Sequence, residues 1–295
     1  MTAARTKAVT RGIARSMNLA IDWKGIGAIR VDQGKNWLMV QGDSQRILRG
    51  LPPEAFDAMI TDPPYSSGGF VRADKNRATG DKYRKSDAKS VQTLTDFEGD
   101  NRDQRSFLKW AELWLWDARA ALKKGSVGFV FADWRQLPVT SDAFQLGGFV
   151  WRGVFVWNKG GGARRAGYGR FSARCEYGVW GSNGPLVYET DAEAGKVAGL
   201  DILEGSFDCG PVKLSRRKHV TEKPVPLMAY VCRACPLGGI VLDPFAGVGS
   251  IGIGAVVAGR RFVGIELDPA AYDRACGRLA AYDRDSKVFE SLGLE

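Results

Sequence analysis

The segment from Gly239 to Asp268 constrains the fold more than any other part of the chain. An apolar run, Gly239–Leu242, leads through a glycine-rich turn into a helix-like stretch, Ile251–Ala258, and then into a second apolar run, Phe262–Ile265. Two buried strands that are joined through a helix pair in parallel. The segment therefore predicts a strand-helix-strand unit within a parallel sheet.

Strands and helices alternate along most of the remaining chain. Five further runs are short, rich in β-branched or aromatic residues, and bounded by Gly, Pro or Asp: Trp37–Val40, Phe56–Ile60, Val127–Phe131, Val150–Trp157 and Tyr177–Trp180. Three further stretches have helical spacing of their apolar residues: Phe107–Leu122, Pro224–Cys235 and Pro269–Ala281. We expect an α/β fold with a mostly parallel sheet and helices on both of its faces.

The length of 295 residues suits one α/β core rather than two enzymes. We expect a basic, flexible arm at 1–30 and a single domain at 31–295. Within that domain, 66–104 is a long charged loop insertion and 181–218 is a short irregular region. No apolar run has the length of a membrane span, and the five cysteines fit no disulfide framework, so we expect a cytoplasmic protein that does not enter a membrane.

The chain carries 42 Lys and Arg against 33 Asp and Glu, a net charge of +9. Such a balance favours a polyanionic partner such as nucleic acid. Many basic proteins never bind DNA, so the charge needs a site to support this interpretation.

The glycine-rich turn is typical of a site that binds a nucleoside. Gly247, Gly249 and Gly252 satisfy the dinucleotide pattern GxGxxG, and Glu266 follows at about the spacing of the residue that binds ribose. However, the turn begins with Asp243, in DPFAGVGS, a form typical of methyltransferases. A carboxylate there suits the ammonium group of S-adenosylmethionine better than a pyrophosphate. The turn alone leaves both ligands open.

A second motif, Asp62-Pro63-Pro64-Tyr65, directly follows the strand Phe56–Ile60. Successive prolines hold the backbone extended and rigid. The carboxylate and a proline carbonyl can both accept from one amino group, and Tyr65 offers a flat face for a base turned out of the stack. Methyl transfer to such an amine depends on alignment more than on acid-base catalysis, and it requires no metal.

With these motifs the chain resembles the amino-methyltransferases of DNA, specifically the permuted β group in which DPPY precedes the cofactor motif. The order is Asp62–Tyr65, then HVTEKP at His219–Pro224, then DPFAGVGS at Asp243–Ser250. The resemblance implies a Rossmann-like, S-adenosylmethionine-dependent fold with circularly permuted motif order. It also implies base flipping, DNA methylation, double-stranded DNA as substrate and, in some members, a homodimer or a restriction-modification partner.

The resemblance also assigns roles to matching positions. Four residues would be catalytic: Asp62, Pro63, Pro64 and Tyr65. Thirteen would surround the cofactor: Asp43, Thr221, Glu222, Lys223, Pro224, Asp243, Pro244, Phe245, Gly247, Gly249, Ser250, Glu266 and Asp268. Trp157 and Lys159 resemble the segment beside the flipped base. The sequence itself adds a basic and aromatic surface for DNA at Arg164, Arg165, Tyr168 and Arg170.

Several of these assignments have structural alternatives. Asp43 can instead cap the helix that begins at Ser44, Trp157 can instead belong to the core, and the charged segments can be solvated loops. The resemblance favours N6 methylation of adenine, because Asp rather than Ser tends to open the tetrapeptide in the adenine-specific members of that family. Cytosine-N4 methylation, methylation of RNA or of a protein glutamine, and a catalytically silent nucleic-acid-binding protein are the alternatives. The short region at 181–218 suggests a short or relaxed recognition site in a bacterial or phage-encoded enzyme.

Overall fold

The computed structural model describes residues 19–65, 102–160, 169, 171, 174–186, 188, 192–200, 202–208 and 223–284. Its strands are β1 (Arg30–Gln33), β2 (Trp37–Gln41), β3 (Phe56–Thr61), β4 (Leu122–Ala132), β5 (Val150–Asn158), β6 (Cys175–Ser182), β7 (Ser206–Asp208), β8 (Ile240–Asp243) and β9 (Arg261–Glu266). Its helices are α1 (Ser44–Gly50), α2 (Gln104–Ala121), α3 (Leu137–Leu146), α4 (Ala192–Val197), α5 (Val225–Cys232), α6 (Ser250–Val257) and α7 (Pro269–Arg284).

All nine described strands form one sheet in the order β1-β2-β9-β8-β3-β4-β6-β5-β7. Neighbours from β2 to β4 pair in parallel, whereas β6 runs antiparallel to both β4 and β5. The late strands β8 and β9 lie between the early strands β2 and β3. The mostly parallel α/β sheet that the sequence predicts is therefore confirmed, and the glycine-rich unit lies beside the strand that carries Asp62.

Helices cover both faces of the sheet, as the alternating side chains of β2 illustrate: they belong in turn to two separate hydrophobic cores. Leu38 and Val40 face a core that includes residues of α1, α2 and α3. Trp37 and Met39 face the other core, which includes residues of α5, α6 and α7. Successive side chains of a strand point to opposite faces, so a strand covered on both sides is apolar throughout.

The N-terminal arm is shorter than the sequence analysis predicts. Within the described residues, Leu19, Ile21, Trp23 and Ile26 are partly buried against the core that contains α1 and α2. Their apolar side chains lose water-exposed surface on packing, which favours a docked segment over a flexible one. A basic arm therefore stays a prediction only for residues 1–18, which lie outside the described residues.

The predicted recognition region at 181–218 contributes to the body of the domain wherever it is described. β7 pairs in parallel with β5 at the edge of the sheet. Beyond α4, the carbonyl of Ala198 accepts from the Leu237 amide at 2.8 Å, and the carbonyl of Gly199 accepts from the Arg260 guanidinium at 3.2 Å. Its role in DNA recognition stays a prediction. No helix in the described part of the chain is long and apolar enough to cross a membrane.

Candidate active site

Four acidic residues lie at one edge of the sheet because they follow adjacent parallel strands. Glu266 is the last residue of β9 and Asp243 the last of β8, while Asp43 and Asp62 follow β2 and β3 closely. The carboxyl ends of parallel strands are where open α/β sheets bind ligands. The topology thus brings together residues that are far apart in sequence.

A carboxylate at the end of β9 holds the glycine turn between β8 and α6 through a hydrogen bond. Gly247 and Gly249 have φ values of +52° and +78°, in the left-handed region that favours glycine. The Glu266 carboxylate accepts from the backbone amides of Gly247 at 2.7 Å and Asp268 at 2.8 Å. A Cβ built on Gly247 would meet no atom within 4 Å, so this residue borders open space.

Asp243 is fully buried beneath this turn. Its Oδ1 accepts from the Thr61 hydroxyl at 2.7 Å and from the Phe245 amide at 3.1 Å. Its Oδ2 is buried and has no hydrogen-bond donor among the described residues. Burial raises the pKa of Asp243 to about 7, although the bonds from Thr61 and Phe245 lower it.

This arrangement fits a nucleoside that carries a cationic amino group. A buried carboxylate oxygen without a donor needs a compensating cation or hydrogen bond. Each Glu266 oxygen accepts one backbone bond and retains a lone pair for a ribose hydroxyl. A pyrophosphate beside Asp243 would face a like charge, so the structure favours the methyl donor over a dinucleotide.

Asp62 lies beside Tyr65 and Lys223 at the end of β3. The Tyr65 hydroxyl donates a short hydrogen bond to Asp62 Oδ1, and the Lys223 ammonium donates one to Asp62 Oδ2. Lys223 Nζ also lies 3.0 Å from the Tyr65 hydroxyl oxygen. The sequence analysis assigns Tyr65 a stacking face only, whereas the structure shows that its hydroxyl also orients the carboxylate.

A second partly buried carboxylate, that of Glu176 in β6, faces the same ammonium group. Its Oε2 is 3.4 Å from Lys223 Nζ, and its Oε1 accepts a short bond from Lys159. Lys159 follows β5, whose Trp157 pairs with Glu176 in the sheet. Two carboxylates and two ammonium groups therefore alternate across the site as Asp62, Lys223, Glu176 and Lys159.

The directions of the pKa shifts favour the ionised forms of Lys223 and Glu176. Burial alone would lower the pKa of Lys223, but the carboxylates of Asp62 and Glu176 raise it above its usual value. Burial alone would raise the pKa of Glu176, but Lys223 and Lys159 bring it below its usual value. The pKa of Tyr65 is raised by burial and by the carboxylates of Asp62 and Glu176, so its hydroxyl remains a donor.

Several predicted cofactor residues also have structural roles. Asp43 caps α1 by accepting from the Gln45 amide at 3.0 Å, and Asp268 accepts from the Ala271 amide at 2.6 Å in the first turn of α7. Phe245 packs against Trp110 and Trp114 of α2. Pro224 precedes the first residue of α5, Pro244 follows β8, and Ser250 begins α6.

One assignment requires correction. Trp157 is only 2% exposed and lies in the core, so its ring is not available to contact DNA directly; the alternative interpretation of this residue is right. Lys223, which is predicted to lie near the methionine end of the cofactor, contacts the carboxylate of the DPPY motif. Its place beside the cofactor stays a prediction.

Six predicted site residues lie outside the described residues: Thr221, Glu222, Arg164, Arg165, Tyr168 and Arg170. Most of the 66–104 insertion does so as well. Their proposed roles therefore stay predictions.

Two residues of the site, Thr61 and Glu176, are not among those predicted from the sequence. Thr61 precedes the DPPY motif and reads as the end of an ordinary strand. Glu176 is a single acid near the start of the strand that contains Tyr177–Trp180. An acid at the end of an otherwise apolar strand is a usable signal, but only the antiparallel pairing of β4 with β6 brings Glu176 to the carboxyl edge.

Comparisons with known proteins show which proteins this chain is similar to. Over 303 residues the chain is 25% identical to the type II methyltransferase M.ScaI of Streptomyces caespitosus, with 92% of this chain and 90% of that protein covered. It is 28% identical to the putative methylase YubD of Escherichia coli, covering 83% and 91% of the two chains. The structure of TTHA0409, a putative DNA modification methylase of Thermus thermophilus solved with S-adenosyl-L-methionine, superposes with a TM-score of 0.59 at 19% identity, covering 83% and 95%.

The profile of the N6/N4 DNA methylases matches residues 56–276, which include β3 with the DPPY motif and the entire glycine-rich unit. The two motifs that define the site thus fall within one family match. The chain belongs to the N6/N4 family of DNA methylases, the amino-methyltransferases of DNA.

Proposed function

We propose that this protein transfers a methyl group from S-adenosylmethionine to the N6 amino group of adenine in double-stranded DNA. The observation that carries the proposal is the 2.7 Å hydrogen bond from the Thr61 hydroxyl to Asp243. Thr61 is the residue before Asp62, so this bond ties the catalytic motif to the cofactor motif. A bound methyl donor and an amine on Asp62 would then be neighbours, as methyl transfer requires.

The cofactor would lie across the ends of β8 and β9. Asp243 would accept from its amino group, Glu266 would accept from its ribose hydroxyls, and Gly247 would allow a close approach of the backbone. Bound S-adenosylmethionine supplies an electrophilic methyl group and leaves as a neutral thioether. Solved relatives that contain this molecule have the same fold, which supports the choice of donor.

Asp62 would prepare the target amine. An exocyclic amine is a weak nucleophile because its lone pair is delocalised into the ring. Asp62 would accept one hydrogen of the amine and the Pro63 carbonyl the other, which favours a tetrahedral nitrogen with an available lone pair. When the nitrogen bonds to the methyl carbon it becomes cationic, and the negative charge of Asp62 stabilises it until a proton is released.

DNA would approach this edge with the target base turned out of the helix. Tyr65 lies next to Asp62 and supplies an aromatic ring at the base site. Lys159 is partly exposed beside it, and the predicted basic and aromatic residues Arg164, Arg165, Tyr168 and Arg170 follow in sequence. We expect these residues to contact phosphates rather than to read bases.

Adenine is proposed because Asp opens the DPPY tetrapeptide. The test is to incubate the purified protein with S-adenosylmethionine and unmethylated plasmid DNA, digest the DNA to nucleosides and measure them by mass spectrometry. We expect N6-methyladenine, and a reaction without protein is the control. N4-methylcytosine without N6-methyladenine would reassign the target base to cytosine. The absence of both methylated nucleosides would contradict the proposed function.

A further inference from the structure

Both oxygens of the Asp62 carboxylate have donors before any substrate is present. Tyr65 donates to Oδ1 and Lys223 to Oδ2. The target amine needs Asp62 as its own acceptor, so the amine and Lys223 compete for the same carboxylate. The Lys223 side chain is only 9% exposed and lies 4.9 Å from the ring centre of Phe131, so water offers little replacement for this contact.

Charge gives a second reason for Lys223 to leave. The amine nitrogen becomes cationic as the methyl group transfers, and Lys223 is held in its charged form by the carboxylates around it. Two positive charges a few ångströms apart inside a protein repel strongly. Lys223 on Asp62 would therefore oppose the charge that develops on the target.

Glu176 supplies the position to which the ammonium group can move. Its buried Oε2 makes no well-aligned hydrogen bond with any described residue, although Lys223 Nζ is already in ion-pair contact with it at 3.4 Å. Lys159 holds the other oxygen, which fixes the direction of the carboxylate. A shift of Lys223 towards Oε2 would give this oxygen the hydrogen bond that it lacks.

We propose that Lys223 holds the place of the target amine on Asp62 and moves to Glu176 Oε2 when the base enters. Glu176 is then a positioning residue, which acts on the reaction by receiving Lys223. The inference rests on the proposed role of Asp62 as the acceptor of the amine, and it is independent of which base is methylated.

The first variant is Glu176→Gln, which removes the charge and keeps the size. Transfer of tritiated methyl groups to unmethylated plasmid DNA is measured as total incorporation, whichever base receives them. We expect kcat/KM for DNA to fall at least about tenfold, because the ammonium group stays on Asp62. The Kd for S-adenosylmethionine, measured by calorimetry, should remain within about twofold. Glu112→Gln, which removes a partly exposed pair with Lys109 on α2, is the matched control and should retain full activity.

The decisive variant combines Glu176→Gln with Lys223→Met. If Lys223 competes with the amine, its removal should restore activity at least about fivefold above Glu176→Gln alone. A purely structural role for the Lys223–Glu176 pair predicts no recovery, because the second change removes one more contact. Glu176→Asp keeps the charge and should have intermediate activity, which provides the same test if the glutamine variant does not fold.

Two results would overturn the inference. One is a Glu176→Gln enzyme as active as the wild type, and the other is a double variant no more active than Glu176→Gln. Failure of the proposed function would give a different result from failure of this inference. If an Asp62→Ala enzyme kept full activity, Asp62 would not be the acceptor of the amine, and both proposals would fail.

Discussion

Burial makes the charge of the Asp243 carboxylate sensitive to pH near neutrality. The pKa of this group is raised to about 7 in the free protein. A bound ammonium group stabilises the charged form and lowers the pKa, so binding releases a proton below neutrality. The affinity for S-adenosylmethionine should therefore rise as the pH increases through 7 and fall as it decreases.

Calorimetry at pH 6.0 and pH 7.5 checks this prediction. With a pKa near 7, the Kd for S-adenosylmethionine should be weaker at the lower pH by about tenfold. The pKa of Glu266 is also raised by burial, so Asp243→Asn serves as the control. This variant should bind more weakly and lose most of the pH dependence. An unchanged Kd in the wild type across this range would contradict the role of Asp243.

At the scale of residues, the sequence predicts the acids that belong to motifs and misses those that do not. Asp62 and Asp243 stand in short patterns whose chemistry is recognisable from neighbouring residues. Thr61 acts through Asp243 and Glu176 through Lys223, partners that lie on other elements of the fold, and only the pairing of strands brings them near. The contact of Lys223 with Asp62 is likewise a consequence of topology.

Among the secondary-structure elements, α5 and α6 approach each other closely at Gly254. A Cβ built there would lie 2.6 Å from the Met228 carbonyl carbon and 2.7 Å from the Ala229 nitrogen. Backbone atoms cannot move aside as a flexible side chain can, so the helices would have to separate. This contact lies directly behind the glycine turn that borders the cofactor site.

We predict that Gly254→Ala lowers the free energy of unfolding by about 2 kcal/mol, because overpacking outweighs the better helix propensity of alanine. Gly277→Ala in α7 is the matched control, since a Cβ there meets no atom within 4 Å. It should raise the free energy of unfolding by about 0.5–1 kcal/mol. Urea denaturation of both variants checks this, and a Gly254→Ala protein as stable as Gly277→Ala would refute the close contact.

The elements themselves were predictable where they are buried on both faces or carry a clear helical stripe. All seven predicted strands and all four predicted helices occur, with ends shifted by a few residues. The edge strands β1 and β7 were missed because they are short and mostly exposed. α3 was missed because its apolar spacing is weak and it begins with a Leu-Pro pair that also suits a turn.

At the scale of the whole molecule, the net charge of +9 should make the affinity for DNA depend on salt concentration. Each phosphate contact releases counterions, so affinity falls as salt rises. We predict that affinity for unmethylated double-stranded DNA falls about 100-fold between 50 and 200 mM NaCl, as fluorescence anisotropy would measure. Affinity for S-adenosylmethionine, measured in the same buffers, is the control and should change little. Salt-independent binding of DNA would contradict this prediction.

The architecture of the whole chain was predictable because the order of the motifs and the alternation of strands and helices agree. The extent of the N-terminal arm was not predictable from the sequence. The basic residues of the arm are followed by Leu19, Ile21 and Trp23, which pack on the core. The basic residues at the start of the chain favoured the prediction of a flexible arm, and the apolar residues that follow them were included in it because their packing partners lie on distant elements.

The proposed methyl transfer depends on Asp62 as the acceptor of the target amine. The most direct measurement compares Asp62→Ala with the wild type for binding of S-adenosylmethionine and for methyl incorporation into unmethylated plasmid DNA. We predict that the variant binds the cofactor with a Kd within a few fold of the wild type and transfers no detectable methyl groups, because the cofactor contacts arise from β8 and β9. An Asp62→Ala protein that methylates DNA at the wild-type rate would contradict the account.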